Sequence, residues 1–261
     1  MAAMDARGIL GRYSFGGLDD FVWWRVDDNQ EFIALPPRVK LWDIVLLMIG
    51  AIITEIAFLV LLGVFGASRF LTVIVIVMVG SVWWIVGYQR LSRSRGWESL
   101  QVRFSPVNGS VILASAVGGL ILVFVPWGVA EILELAGIKI DIPAQAVLPS
   151  NLSQLPLAIA VVVVLGPLSE ELIFRGLLLD WLRQRMAVWP AALIISLLFA
   201  FVHNVSFKNG IFGWIEFGVR FLLGVGTSFF AIRFRSLRAS FVMHATLNGC
   251  ACIASVLRGG A

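Results

Sequence analysis

The sequence is poor in charge. Asp, Glu, Lys and Arg make up 14% of its 261 residues, apolar side chains 59%, and mean hydropathy is +0.93. A soluble domain is about 45–50% apolar and 25% charged, so this composition excludes one. Cysteine occurs twice, as Cys250 and Cys252 in the last apolar segment. Neither has metal-ligand company, and both read as free thiols packed among helices. No internal repeat is present, which removes support for an inverted-repeat transporter. There is no low-complexity segment and no Gly-rich phosphate loop. The Gly224–Gly226 pair lies in an apolar run without a strand–turn–helix context. Histidine also occurs only twice, as His203 and His244.

What is abundant is long apolar runs. At about 20 residues per crossing, the chain has room for six to eight spans and no sizeable soluble domain. Run length predicts an all-α, polytopic membrane bundle of about seven helices. They fall near Leu41–Gly66, Phe70–Tyr88, Ser110–Ala130, Leu155–Trp181, Val188–His203, Ile211–Ile232 and Ala239–Leu257. Pro126 interrupts the third, and Pro143, Pro149 and Pro156 mark a loop before the fourth. Residues 1–40 lack the apolar core of a signal peptide and read as a polar tail. In it, Phe21, Val22, Trp23 and Trp24 are placed to dip into the interface or to pack on the protein. Residues 41–104 form two spans and a basic loop, and 105–261 form the core.

The net charge of +4 comes largely from loop arginines, so it speaks of topology and not of nucleic acid. Arg7, Arg12, Arg25, Arg38 and Lys40, Arg90, Arg93, Arg95 and Arg103, Arg183 and Arg185, and Arg233, Arg235 and Arg238 share one side. Arg69, Lys139, Lys208 and Arg258 hold the other. The bias expects a cytoplasmic N-terminus and an integral membrane protein. The short chain suggests a bacterial plasma membrane.

An ionisable residue inside a span marks a functional site by default. The candidates are Asp43, Glu55, Glu170, Glu171, Arg175, His203, Glu216, Arg220 and His244. Asp43 lies near a span end and is expected at the interface. Glu171 and Arg175 are four apart, acid first, the favourable order for a helical ion pair. Glu170 is turned by about 100° from Glu171 and faces elsewhere. Pro167 loosens the helix beside them, which suggests a water-accessible cavity. Asn248 lies one turn beyond His244, on the same face. Glu, His, His and Asn can thus meet between three helices.

Such a group suits hydrolysis of an amide or ester: a desolvated carboxylate as general base, an imidazole to orient water, and a His–Asn donor pair for the oxyanion. The same inventory suits zinc, with His203, His244 and a Glu as ligands. Counting along the helices raises a difficulty. Glu170 and His203 are each roughly 22–26 Å from the turn at Gln184–Ala187, but His244 is only roughly 9 Å past Arg238. A gap of more than about 10 Å must close, by protrusion of the hairpin into the cytoplasm, by tilt, or by the Pro167 kink.

Three segments resemble a known family. "EELIFRG" (Glu170–Gly176), "FAFVH" (Phe199–His203) and "HATLN" (His244–Asn248) are similar to the EExxxR, FxxxH and HxxxN motifs of the CaaX protease and bacteriocin-processing family of intramembrane proteases. "RGWESLQVRF" (Arg95–Phe104) resembles its weaker Gly-x-x-x-x-Leu stretch. The good match runs from about Leu155 to Asn248. The resemblance implies an intramembrane active-site cavity and an endopeptidase acting on membrane-associated polypeptides. It implies Glu170 as the water-activating base, His203 as its assistant, Glu171 and Arg175 as the clamp, and His244 and Asn248 as oxyanion stabilisers. No cofactor is expected on the glutamate reading, with zinc the alternative. A non-catalytic scaffold or immunity protein, or a proton carrier using Glu55 or Glu216–Arg220, are the competing classes.

Overall fold

A computed structural model describes residues 39–138, 148–203 and 210–259. The expected tail lies outside the described residues apart from Val39 and Lys40, as do Lys139, Pro143 and Lys208. All regular elements among the described residues are helices. They are α1 (Leu41–Val64), α2 (Arg69–Arg95), the short α3 (Leu100–Arg103), α4 (Gly109–Leu135), α5 (Leu152–Arg183), α6 (Val188–His203), α7 (Gly210–Phe234) and α8 (Leu237–Gly259).

Local sequence explains the helix ends. Ser68 accepts a hydrogen bond from the Leu71 N–H and caps α2. Gly96 ends it in the left-handed conformation, φ 69°, where a Cβ would be strained. Ser99 caps α3 through the Val102 N–H. Pro126 does not interrupt α4, which runs unbroken from Gly109 to Leu135. In a span, neighbouring helices can re-satisfy the carbonyl that a proline leaves free.

Among the described residues, six helices are long and apolar enough to cross a membrane. Their large apolar residues, such as Ile53, Val60, Leu113, Ile121, Phe124 and Trp214, are exposed, as a lipid-facing surface requires. The protein is an integral membrane protein. The seventh apolar helix, α6, has 16 residues, about 24 Å of rise against a hydrocarbon core of about 30 Å. The described part of this helix reaches His203.

Helix α5 is the axis of the bundle. Buried residues make up 44% of its apolar window, against 17–33% for the other spans. Helices α2, α6, α7 and α8 pack around it, and α4 closes on α8 and α7. Close approach depends on missing side chains. A Cβ on Gly119 of α4 would lie 2.3 Å from the Met243 carbonyl oxygen of α8, and one on Gly224 of α7 would lie 2.8 Å from the Ser196 Cα of α6. Small residues serve this purpose where no hydrophobic drive pulls spans together.

Asp43, in the first turn of α1, is buried, 3% exposed, and accepts a hydrogen bond from Arg95 Nη2 at 2.9 Å. The last turn of α2 brings this guanidinium to it, so the carboxylate is paired within the protein.

Candidate active site

Helix α5 is not a uniform α-helix. Ile159–Leu165 and Leu172–Leu178 are π-helical, with N–H groups bonded five residues back: Gly166 to Val161 and Leu179 to Phe174. Between them lies an α-helical piece, Gly166–Glu171, with Pro167 in its first turn. Wide turns of this kind are rare and cluster at functional sites. The loosening expected at Pro167 takes this form.

Glu170 and Glu171 leave this piece in different directions. Glu171 Oε1 accepts from Arg175 Nη1 at 3.1 Å, and both side chains are wholly buried. Arg175 Nη2 donates to the Gly224 carbonyl at 3.2 Å, and its guanidinium lies over the Phe199 ring, 4.7 Å from the centroid. The same Glu171 oxygen accepts from His244 Nδ1 at 3.0 Å. That Nδ1 donates, because Glu171 is the carboxylate of a buried ion pair. His244 Nε2 then faces Glu170 Oε2 at 3.5 Å.

His203 Nδ1 donates to the Phe199 carbonyl one turn back at 2.8 Å. This turns Nε2 toward Glu170 Oε2, 3.2 Å away. Two imidazoles therefore converge on one carboxylate oxygen. Each contact is an ion pair only where its imidazole is protonated; among the described residues no donor makes a well-aligned hydrogen bond to Glu170 Oε2. Glu170 and His203 side chains are 26% and 27% exposed, whereas Glu171 and Arg175 are at 0%. One pair is sealed; the other is partly exposed, though Glu170 Oε2 itself is enclosed.

The structure thus brings together Glu170, Glu171, Arg175, His203 and His244. Asn248 is turned elsewhere: its Nδ2 donates to the Val162 carbonyl at 2.9 Å, roughly two turns of α5 before Glu170. Glu216 and Arg220 form a pair along α7 at 3.6 Å. Glu55 lies in the notch left by Gly80, its Oε1 2.2 Å from where a Cβ would stand. Among the described residues, no group of three or more His, Cys, Asp and Glu side chains is arranged to hold a metal ion.

The height gap counted from sequence is absent. Asp180 pairs with Arg103 of α3 at 2.5 Å, and Ser236, just before α8, donates to the Ser105 carbonyl at 2.7 Å. Asp180 and Ser236 thus share one level, and the end of α5 projects beyond it. The π-helical turns also spend more residues per length of helix. Both effects bring Glu170 down to His244.

Sequence reasoning gave several contributors no role. Phe199 is the hub: its ring is 4.2 Å from His203 and stands edge-on to His244 at 5.6 Å. Ser169 donates to the Gly166 carbonyl at 2.8 Å and shares a hydrogen bond with Ser81 of α2 at 3.0 Å, tying the acidic segment to α2. Gly224 offers its carbonyl to Arg175. Four-residue spacing to His203 was a signal for Phe199; nothing in the sequence marked Ser81 or Gly224.

Fold and site together define a polytopic helical membrane protein with a carboxylate–imidazole cluster among its spans. Residues 152–250, from α5 into α8, match the family described as Type II CAAX prenyl endopeptidase Rce1-like. All six residues singled out above lie inside that match. The chain is also similar to an uncharacterized 24.3 kDa protein of Escherichia coli, 30% identical over 141 residues. Those residues are 49% of this chain and 63% of the relative, so the chain spans less than two thirds of it. No solved structure matches the chain.

Proposed function

We propose that the protein is an intramembrane endopeptidase that hydrolyses peptide bonds of membrane-associated polypeptides with a glutamate-activated water. The observation that carries this reading is the convergence of His203 Nε2 and His244 Nε2 on Glu170 Oε2, at 3.2 and 3.5 Å, beside a buried ion pair. The family match supports it.

Glu170 takes a proton from water as the oxygen attacks the scissile carbonyl. His203, held by its Nδ1–H to Phe199, receives that proton from Glu170 through Nε2 and delivers it to the departing amine. His244 is held through Nδ1–H on the sealed Glu171–Arg175 pair, and when Nε2 carries a proton as well it donates from there toward the developing oxyanion. Asn248, the second donor expected from the sequence, is bonded to the Val162 carbonyl. The bilayer and a polypeptide substrate are the partners on this reading, with no nucleic acid.

Comparing membrane peptides of cells carrying the wild type and Glu170→Ala tests the reading and finds the substrate. Peptides that accumulate uncut only with the variant are expected. Identical peptide sets would sink the proposal. The mechanism uses no metal, so activity is expected to survive chelation in protein shown metal-free by elemental analysis. Loss on chelation with recovery on adding zinc would replace it with the metalloprotease reading.

A further inference from the structure

The contact between Asn248 and the Val162 carbonyl has a specific cause. In the π-helical turn of α5 the Gly166 N–H bonds to the Val161 carbonyl, five residues back. The next bond in that register would run from residue 167 to the Val162 carbonyl. Residue 167 is proline and has no N–H. Gly166, the donor an ordinary α-helical register would supply to Val162, already serves Val161. The Val162 carbonyl is thus left without a backbone donor, at a residue that is 9% exposed. A buried polar group in this state is costly unless another donor is found. Asn248 Nδ2 supplies one at 2.9 Å from the neighbouring helix.

We propose that Asn248 is a positioning residue. It replaces the backbone hydrogen bond that Pro167 removes, and so holds the widened turn of α5 that aims Glu170 at His203 and His244. The position of the carboxylate follows from the register of Gly166–Glu171. That piece begins where the π-helical stretch ends. His244 and Asn248 stand one turn apart on α8. One grips the acidic segment through Glu171 and the other grips the turn before it, so α8 sets both ends of the same piece. An asparagine suits the task because its amide donates; an aspartate in its place would set an acceptor against a carbonyl. The link to catalysis rests on the protease reading above, but the capping of Val162 does not.

Substitution at Pro167 separates this role from a direct contact with substrate. Pro167→Ala restores an N–H that can serve the α5 backbone, and Asn248 then becomes dispensable. An oxyanion donor would not be made dispensable by any change at Pro167. The full-length protein in lipid vesicles is assayed on a membrane-spanning peptide taken from the Glu170→Ala comparison. The variants are Asn248→Ala, Pro167→Ala and the double variant, and each is also followed by thermal unfolding. In the wild-type background Asn248→Ala is expected to lower kcat by about tenfold to a hundredfold, as misplacement of a reacting group does, with KM held. In the Pro167→Ala background the same change is expected to cost less than about threefold, and the thermal midpoint to show the same suppression. Pro167→Leu serves where Pro167→Ala does not fold, since it restores the same donor. An equal kcat loss in both backgrounds overturns the proposal and returns Asn248 to the oxyanion. A lower midpoint with kcat per folded molecule unchanged overturns the positioning role. If the wild type cuts no peptide at all, the protease reading falls, and the cap stands on suppression of the midpoint loss and falls on its absence.

Discussion

Two carboxylates adjacent in sequence do different work because one helix step separates their faces. Glu171 is enclosed with Arg175 and His244, and Glu170 opens toward His203. The two should therefore fail differently. Glu170→Gln keeps the shape and removes the proton acceptor. Cleavage is expected to fall by about 10²–10⁴-fold with little change in thermal midpoint, read in a paired activity and unfolding measurement. Arg175→Met leaves Glu171 charged and buried without its cation. Breaking such a pair from one side costs about 3–5 kcal/mol, seen as a lower midpoint of unfolding in detergent. Replacing both partners, as Glu171→Leu with Arg175→Leu, should recover much of that stability and none of the activity, because His244 loses its anchor. The i, i+4 pairing was legible in the sequence, since helix geometry alone dictates it. The engagement of Glu171 by His244 was not, because the two are 73 residues apart and only packing of α8 on α5 joins them.

At the scale of the element, α5 departs from regularity where function requires it. A straight α-helix would spread its residues evenly; two π-helical stretches around Gly166–Glu171 shorten it and turn the acidic piece toward α6 and α8. Pro167 was readable as a weak point in the helix, but not the form the weakness takes. Which hydrogen-bond register replaces the lost one depends on Asn248, a donor from another helix. The site also rests on the close seating of α7 against α6. Gly224→Val would place side-chain atoms on the Ser196 backbone and push away the carbonyl that holds Arg175. A loss of about 1–3 kcal/mol in unfolding free energy is expected, with reduced cleavage by the folded fraction. The Gly224–Gly226 pair carries no phosphate-loop context, as the sequence indicated; its meaning is helix packing.

Across the whole molecule, the connection after α2 ties the end of α5 to the rest. Arg103 bridges Asp180 at 2.5 Å and Glu98 at 3.0 Å, and its Nε donates to Tyr88 at 3.1 Å. Burial disfavours the Arg103 charge, but Asp180, Tyr88 and Glu98 outweigh that and raise its pKa above the ordinary arginine value. The guanidinium stays charged throughout the range a protein meets. Asp180→Ala should strand it among partners arranged for a second carboxylate. An unfolding penalty of about 3 kcal/mol is expected, with faster proteolysis at Gln184–Ala187. The bias of Lys and Arg expects this connection in the cytoplasm. A cysteine introduced at Ser94 should react with an impermeant maleimide only after the cells are opened; labelling of intact cells would reverse the topology.

By itself the sequence determined the membrane class, the number and order of the apolar helices, the residues that carry charge within them, and the pairing of Glu171 with Arg175. Each of these follows from local quantities: run length, side-chain polarity and the 3.6-residue period. Only the tertiary structure decided that His244 reaches Glu170, that Asp43 is turned inward to Arg95, and that Asn248 serves a carbonyl of α5. Those depend on the relative height and register of helices distant in the chain, which in a bilayer are set by small-residue packing and by hydrogen bonds between helices. No pattern within a single helix encodes either.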